Sequence, residues 1–405
     1  MTAVELPDLL SVFTGPRTDQ GPLIADLRER EPVCWIPGLD AWIVTRHEDV
    51  RLLCIDPRLT ADATAHEQYR APTDAKAVRW LSAIPFRVSP ADPESLGRRL
   101  VYRTLTPRAI ERTKHRIQEV VEEFAAPLRA RDDVVDLVQE FTKPVSVTAI
   151  GRLLGIPREG EVADRFRNLP RAARNVRPFL SAKGRAKAER SGVEVCEFIL
   201  DLIETRRQSL SEGIITDLLD AVDASERTGE EDVVRVVAAL VSTGTNTPGN
   251  AAARCLLSLL QHPFQLDLLR HNPALRPNAI EELLRYDGGI VAMARYVLED
   301  IELRGRTLKK GQLVVLSITG ANRDPRVFPD PERIDFQRDT RPSMAFGHGA
   351  HYCVGINIAR NELQLMIDAA LDFLPPKTRL LDDQILWTSK GLVSQLKGLP
   401  VDFRG

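Results

Sequence analysis

The chain has 405 residues, 43% of them apolar, enough for a substantial core in one large domain or two to three ordinary ones. Its 55 Lys and Arg nearly cancel 57 Asp and Glu, so no overall field favours nucleic acid or an anionic membrane. The five cysteines (Cys34, Cys54, Cys196, Cys255 and Cys353) are odd in number, widely spread and lack a CxxC pair, which excludes a disulfide framework or zinc-ribbon spacing and suits a reducing cytoplasm.

The N-terminal stretch MTAVELPDLLSVFTGPR has neither a basic region followed by an apolar run nor about 20 apolar residues, so the sequence reads as soluble and not exported. A hairpin is expected first, with VCWI (33 to 36) and AWIVT (41 to 45) joined by a Pro-Gly-Leu-Asp turn. Helical patterns then dominate, at 47 to 55, 96 to 104, 107 to 129, 139 to 154, 184 to 208, 213 to 223, 230 to 260, 263 to 270 and 276 to 286. Residues 56 to 94 have the longest run without clear periodicity. With Trp80 and Phe86 they suit either a wall over an apolar ligand or a surface loop with incidental aromatics.

Strand character returns between about 290 and 320, with a Lys-Lys-Gly turn between β-branched runs. A proline-rich irregular stretch and a last helix, 354 to 373, follow. No Gly-, Ser- or Pro-rich linker, repeat or low-complexity tract divides the chain, so a single mainly α domain with a minor β portion, residues 1–405, is expected.

The segment 233 to 260 is apolar and tempts a membrane assignment, but Arg235, Asn246, Pro248 and Arg254 interrupt it, so no membrane span is expected. At its middle stands LVSTGTNTPGN (240 to 250), where Gly and Pro cost about 1 and 3 kcal/mol relative to Ala and hydroxyls compete for backbone partners. Pro248 has no N–H, so the carbonyl of Gly244 loses its donor and a bend is expected there.

The strongest chemical signal is FGHGAHYCVG (346 to 355). A thiol just before a helix start has its thiolate stabilised by the helix dipole and unpaired N–H groups, while Gly347 and Gly349 allow tight turning and close approach of a flat partner. By itself such a cysteine is more often a buried structural thiol. The whole pattern, however, resembles the haem-binding loop of the cytochrome P450 family, FxxGxxxCxG, met at Phe346, Gly349, Cys353 and Gly355, with His351 in the usual basic place.

That resemblance implies the family's fold and an axial thiolate from Cys353, whose electron donation favours O–O cleavage. It also implies that Phe346 shields the sulfur and that His351 binds a haem propionate. Glu282 and Arg285, in EELLRY, match the family's ExxR motif; three residues apart, they share a helix face and can pair and lock onto the following meander, ANRDPRVFPDPERIDFQRD. Arg295 falls where members carry a propionate-binding arginine. DPESLGRRLVYRTLTPR resembles a further segment in which Arg98 would contact a propionate and Glu94 replaces the usual histidine.

By the same resemblance LVSTGTNTPGN is the distal oxygen-binding signature. Thr243 replaces a small residue, Gly244 matches, Asn246 replaces the acid and Thr247 matches the threonine whose hydroxyl hydrogen-bonds dioxygen. Asn246 cannot titrate, so either ordered water completes the proton relay for hydroxylation, or the reaction is one with less need of distal acid: oxidative coupling, desaturation or ring formation. Cofactor haem b, with electrons from NAD(P)H through a ferredoxin and its reductase, is implied, since no flavin or nicotinamide module fits this length. Arg98, Arg99, Arg103 and Arg108 would suit an acidic ferredoxin.

Substrate contacts by family position are Trp80, Phe86, Phe179, Thr243, Ile290, Val291, Ala292 and Val393, mostly apolar, implying a compact natural-product-like molecule, possibly carrier-bound. Arg167, Arg171, Arg174 and Arg177 could attract an anionic substrate or carrier, or form a solvated face. A sensor or carrier that binds haem without turnover is the alternative from another class.

Overall fold

The computed structural model describes residues 21–61, 107–169, 182–208, 213–223, 229–389 and 392–405. The candidate helix 96 to 104, the loop content of 62 to 94, and Arg98, Trp80, Phe86 and Phe179 lie outside them. The helices are α1 Gly21–Arg30, α2 His47–Ile55, α3 Pro107–Ala125, α4 Lys143–Leu154, α5 Glu161–Asn168, α6 Ala182–Gln208 and α7 Ile214–Asp223. They continue with α8 Glu230–Gly244, α9 Thr247–Gln261, α10 Pro263–His271, α11 Arg276–Asp287, α12 Ile318–Asn322 and α13 Ile356–Phe373.

The strands are β1 Val33–Ile36, β2 Ala41–Val44, β3 Leu59–Thr60, β4 Val134–Asp136, β5 Ala292–Val297, β6 Ile301–Leu303, β7 Arg306–Leu308 and β8 Leu313–Ser317. After the last helix come β9 Arg379–Leu380, β10 Leu386–Ser389, β11 Ser394–Gly398 and β12 Pro400–Asp402, none of which the sequence reading anticipated. Helices dominate and the sheets are small, as the sequence patterns require.

The first hairpin forms with Trp35 opposite Trp42, and Asp40 takes the left-handed conformation (φ 50°) at its turn. The larger sheet runs in the order β1, β2, β8, β5, β3, and β8, buried at all five positions, pairs with β2 and with β5. A continuous apolar run such as LVVLS is what a strand covered on both faces requires. The reversal expected at Lys-Lys-Gly is shared: Arg304 and Gly305, with φ of 48° and 72°, make the two-residue turn between β6 and β7, and Gly311 turns the chain into β8. Positive φ at both central residues fits a primed hairpin turn.

The expected single helix over 230 to 260 is two helices. α8 ends at Gly244, α9 begins at Thr247, and Thr245 and Asn246 form the break. The last α8-type bond is Thr245 N to Val241 O at 3.3 Å, and the α9 ladder starts with Asn250 N to Asn246 O at 3.0 Å. Pro248, in the first turn of α9, tolerates its missing donor there, which is why the proline separates two helices instead of bending one. Every α9 residue from Pro248 to Leu259 is buried, packed on α4, α11 and α13.

Candidate active site

Glu282 and Arg285 lie on α11 with fully buried side chains. Their contact is bidentate, Arg285 Nε to Glu282 Oε2 at 2.7 Å and Nη2 to Oε1 at 2.9 Å. Arg285 Nη1 also donates to the carbonyls of Asn322 (2.8 Å) and Pro331 (3.0 Å), while Glu282 Oε1 accepts from Asp335 N and Arg338 Nε. The pair therefore ties α11 to α12 and to the irregular chain 323 to 339. Two buried charges stay tolerable when their remaining donors and acceptors are filled in this way.

That irregular chain delivers the cysteine loop. Met344 N donates to Asn322 Oδ1, Gly347 N to Met344 O, and Cys353 N to Phe346 O at 3.0 Å, closing the loop three residues before α13. Gly347 and Gly349 both have positive φ, 76° and 70°. A Cβ on Gly349 would fall 2.5 Å from Ile55 Cγ2, so the loop packs closely against the end of α2 here. A Cβ on Gly355 would meet nothing within 4 Å, and His351 is half-buried at the end of the turn Gly349–His351.

Around Cys353, burial raises the thiol's pKa, with the Gly355 N–H and Arg360 acting in the opposite direction. Coordination to a metal ion would deprotonate such a thiol outright. Arg360, which the sequence reading missed, stacks at 5.2 Å over the Phe346 ring and is clamped by Glu281 at 2.6 and 2.9 Å. Its signal was its place seven residues beyond Cys353, in the first turns of the helix that follows the loop.

Arg295, on β5, tests whether the site suits a haem propionate. It is 5% exposed; Nη1 donates to Ala294 O at 2.8 Å, and Nη2 is buried with no hydrogen-bond partner among the described residues. Burial lowers its pKa, opposed by the nearby Cys54 thiol, which takes a backbone hydrogen bond from His348 in the cysteine loop. Met293, two residues away on the same strand face, reaches within 3.6 Å of the Cβ position of Gly347. A buried guanidinium beside the loop with an unfilled donor matches an anionic group, so the residues present fit haem.

The break between α8 and α9 is open where its flanks are closed. Thr243 is exposed and Gly244, Asn246 and Thr247 are half-buried, whereas Leu240, Val241, Pro248 and Gly249 are buried. Thr243 and Thr245 hydroxyls donate back to Ala239 O and Val241 O, both at 2.8 Å, and Asn246 Nδ2 reaches Thr245 Oγ1 at 3.4 Å. The Cβ that Gly244 lacks would fall 3.0 Å from Ile150 Cδ1, so this glycine admits α4.

Of the expected substrate contacts, Ile290 and Val393 are half-buried and form an isolated bridge. Val291 and Ala292 are buried and pack in the apolar cluster with residues of β1, β2 and β8. Arg254, noted in the sequence only as an interruption, is 1% exposed and pairs with Asp287.

The family model described as Cytochrome P450 matches residues 264–372. The chain is 34% identical to Cytochrome P450 107B1 of Saccharopolyspora erythraea, covering 99% of both chains. It is 31% identical to mycinamicin IV hydroxylase/epoxidase of Micromonospora griseorubida, over 93% of this chain and 94% of that one. Among solved structures, P450BioI in complex with hexadec-9Z-enoic acid ligated acyl carrier protein superposes with a TM-score of 0.82 at 27% identity, over 95% and 98% of the two chains. With its cysteine loop, its ExxR pair and relatives matched from end to end, the chain belongs to the cytochrome P450 family of monooxygenases.

Proposed function

We propose that residues 1–405 form one haem-thiolate domain that hydroxylates a compact, largely apolar natural-product-like substrate, free or attached to a carrier. The observation that carries the haem assignment is Arg295, a buried cation with an unfilled Nη2 beside the cysteine loop. The names of the relatives support the substrate class: one acts on mycinamicin IV and another was solved with an acyl-carrier-bound fatty acid.

Bound haem b supplies thiolate-ligated iron for the activation of dioxygen. Cys353 would present the ligating sulfur, Phe346 would cover it, and Arg295, His351 and Arg98 would hold the propionates. Thr247 would offer a hydroxyl at the helix break, and Asn246, an amide, can orient water by accepting and donating hydrogen bonds without exchanging a proton. The relayed proton therefore comes through ordered water. Ile290 and Val393 contact substrate, whose bulk excludes further solvent. Electrons arrive from NAD(P)H by a reductase and a ferredoxin, which docks on the basic segment carrying Arg98, Arg99, Arg103 and Arg108.

Asn246 favours one second reading, oxidative coupling, desaturation or ring formation. The two are separated by NADH-dependent turnover with a ferredoxin and reductase pair, followed by mass analysis. A gain of one oxygen supports hydroxylation; loss of two hydrogens or dimer formation supports the second reading. Haem loading with no substrate-dependent NADH consumption across a natural-product panel would reject both in favour of a binding protein.

A further inference from the structure

Asn250 and Arg254 are polar residues inside the most deeply buried helix of the described chain, three and seven positions after Thr247. Neither belongs to the haem machinery above. Both reach the same place. Asn250 Nδ2 donates to Ser394 O at 2.9 Å and its Oδ1 accepts from Leu396 N at 3.0 Å, so the side chain of α9 completes the backbone of β11. Arg254 Nη1 donates to Ser394 Oγ at 3.1 Å, Nη2 pairs with Asp287 at the end of α11, and the guanidinium lies 5.2 Å from the centre of the Trp387 ring on β10.

The segments so fastened are the two proposed substrate walls. Ser394 N donates to Gly289 O at 3.0 Å, Val291 N donates to Leu392 O at 3.0 Å, and Ile290 bridges Val393. Gly289 has φ 83°, and a Cβ on it would fall 2.6 Å from Asn250 Nδ2 and 2.8 Å from Arg254 Cδ. The loop thus rests directly on the two side chains. A buried arginine requires a paired, hydrogen-bonded setting, and here that requirement can be met only if α9, the end of α11 and the β10–β11 hairpin keep one spacing.

We infer that Asn250 and Arg254 are positioning residues that set the distance and angle of the 289–292 and 392–395 walls relative to the helix break at Thr247, and thereby select which part of a substrate is presented for oxidation. The inference rests on the proposed haem pocket. Small displacements matter because productive geometry in such pockets is narrow.

The test uses the haem-loaded protein with two probes read by their ferric Soret shifts: imidazole, too small to meet the walls, and 4-phenylimidazole, whose ring must. For Arg254→Met, 4-phenylimidazole binding weakens about tenfold, a change of about 1.4 kcal/mol, while imidazole binding stays within about twofold. Arg254→Lys, which retains the charge opposite Asp287, restores part of the loss. Ser394→Ala, which removes one hydroxyl, gives a change of about threefold. If Arg254→Met does not take up haem, Ser394→Ala decides. Equal weakening of both probes, or no change in either, in variants that load haem normally would overturn the inference and leave Arg254 a purely structural ion pair. Absence of thiolate-ligated haem from the unmutated chain would instead reject the proposed function.

Discussion

Arg285 and Arg295 are both buried arginines, and they differ in how their donors are spent. Arg285 is filled: a carboxylate takes two of its donors and carbonyls of the following chain take more. Among the described residues Arg295 is unfilled, with one bond to a neighbouring carbonyl and Nη2 left without a partner. A buried charge with a finished set of bonds is part of the architecture, and one with an unfinished set marks the place of a ligand. The same contrast separates the closed knot of α11 and its meander from the half-open break between α8 and α9.

Breaking the filled region has the largest expected effect. Glu282→Ala leaves Arg285 and Arg338 without their carboxylate and costs about 3–5 kcal/mol, read as a lower urea midpoint and little haem-loaded protein. A third buried group sharpens the contrast by being satisfied in another way. Glu362 on α13 accepts a hydrogen bond from the Ser146 hydroxyl, and burial raises its pKa from 4.5 to about 7. Between these values the folded chain holds a proton that the unfolded chain does not. This contribution is therefore full below the unfolded pKa and lost as pH rises through the folded one, amounting to about 3 kcal/mol. Glu362→Gln should flatten that decline between pH 5 and 8 in urea titrations of stability.

The unfilled arginine should respond with opposite signs in the two forms of the protein. Arg295→Leu stabilises the haem-free chain or leaves it unchanged, yet weakens haem retention by roughly tenfold to a hundredfold, the worth of a charge-assisted hydrogen bond. Haem transfer to an acceptor globin and urea unfolding of the apoprotein measure the two halves; a loss in both would make Arg295 merely another structural residue. The smallest effect is expected at the helix break. Asn246→Asp restores a titratable group, and a change of about threefold in the ratio of product to peroxide is expected if the amide matters to the proton supply.

Legibility in the sequence followed the range of the interactions. The first hairpin, α2, α6, α10 and α11 could be read from periodicity and turn residues because their determinants are local. The split of 230 to 260 was half visible: Pro248 announced the lost donor, but whether the chain would bend or end one helix and start another depended on how tightly α4, α11 and α13 hold the second piece. The strands after Phe373 are short and carry no long alternation, and β12 gains its place only by pairing with β4 and β9, far apart in sequence.

At the site, Cys353, Phe346, Glu282, Arg285 and Arg295 were legible as a pattern of types and spacings. Gly349 and Gly244 were identified as special, but the neighbours that require them, Ile55 and Ile150, belong to other helices and leave no local mark. Arg254 was visible as an interruption in an apolar run. Its partners Asp287, Ser394 and Trp387 come from two remote segments, so only the folded chain reveals what it holds.

The central claim is that Cys353 is the thiolate ligand of a haem. Reduction of the haem-loaded chain under carbon monoxide should give the strongly red-shifted Soret band of thiolate ligation, and Cys353→Ala should abolish it while the described fold is retained by circular dichroism. A band that survives in Cys353→Ala, or one that is never red-shifted in the unmutated chain, would contradict the account.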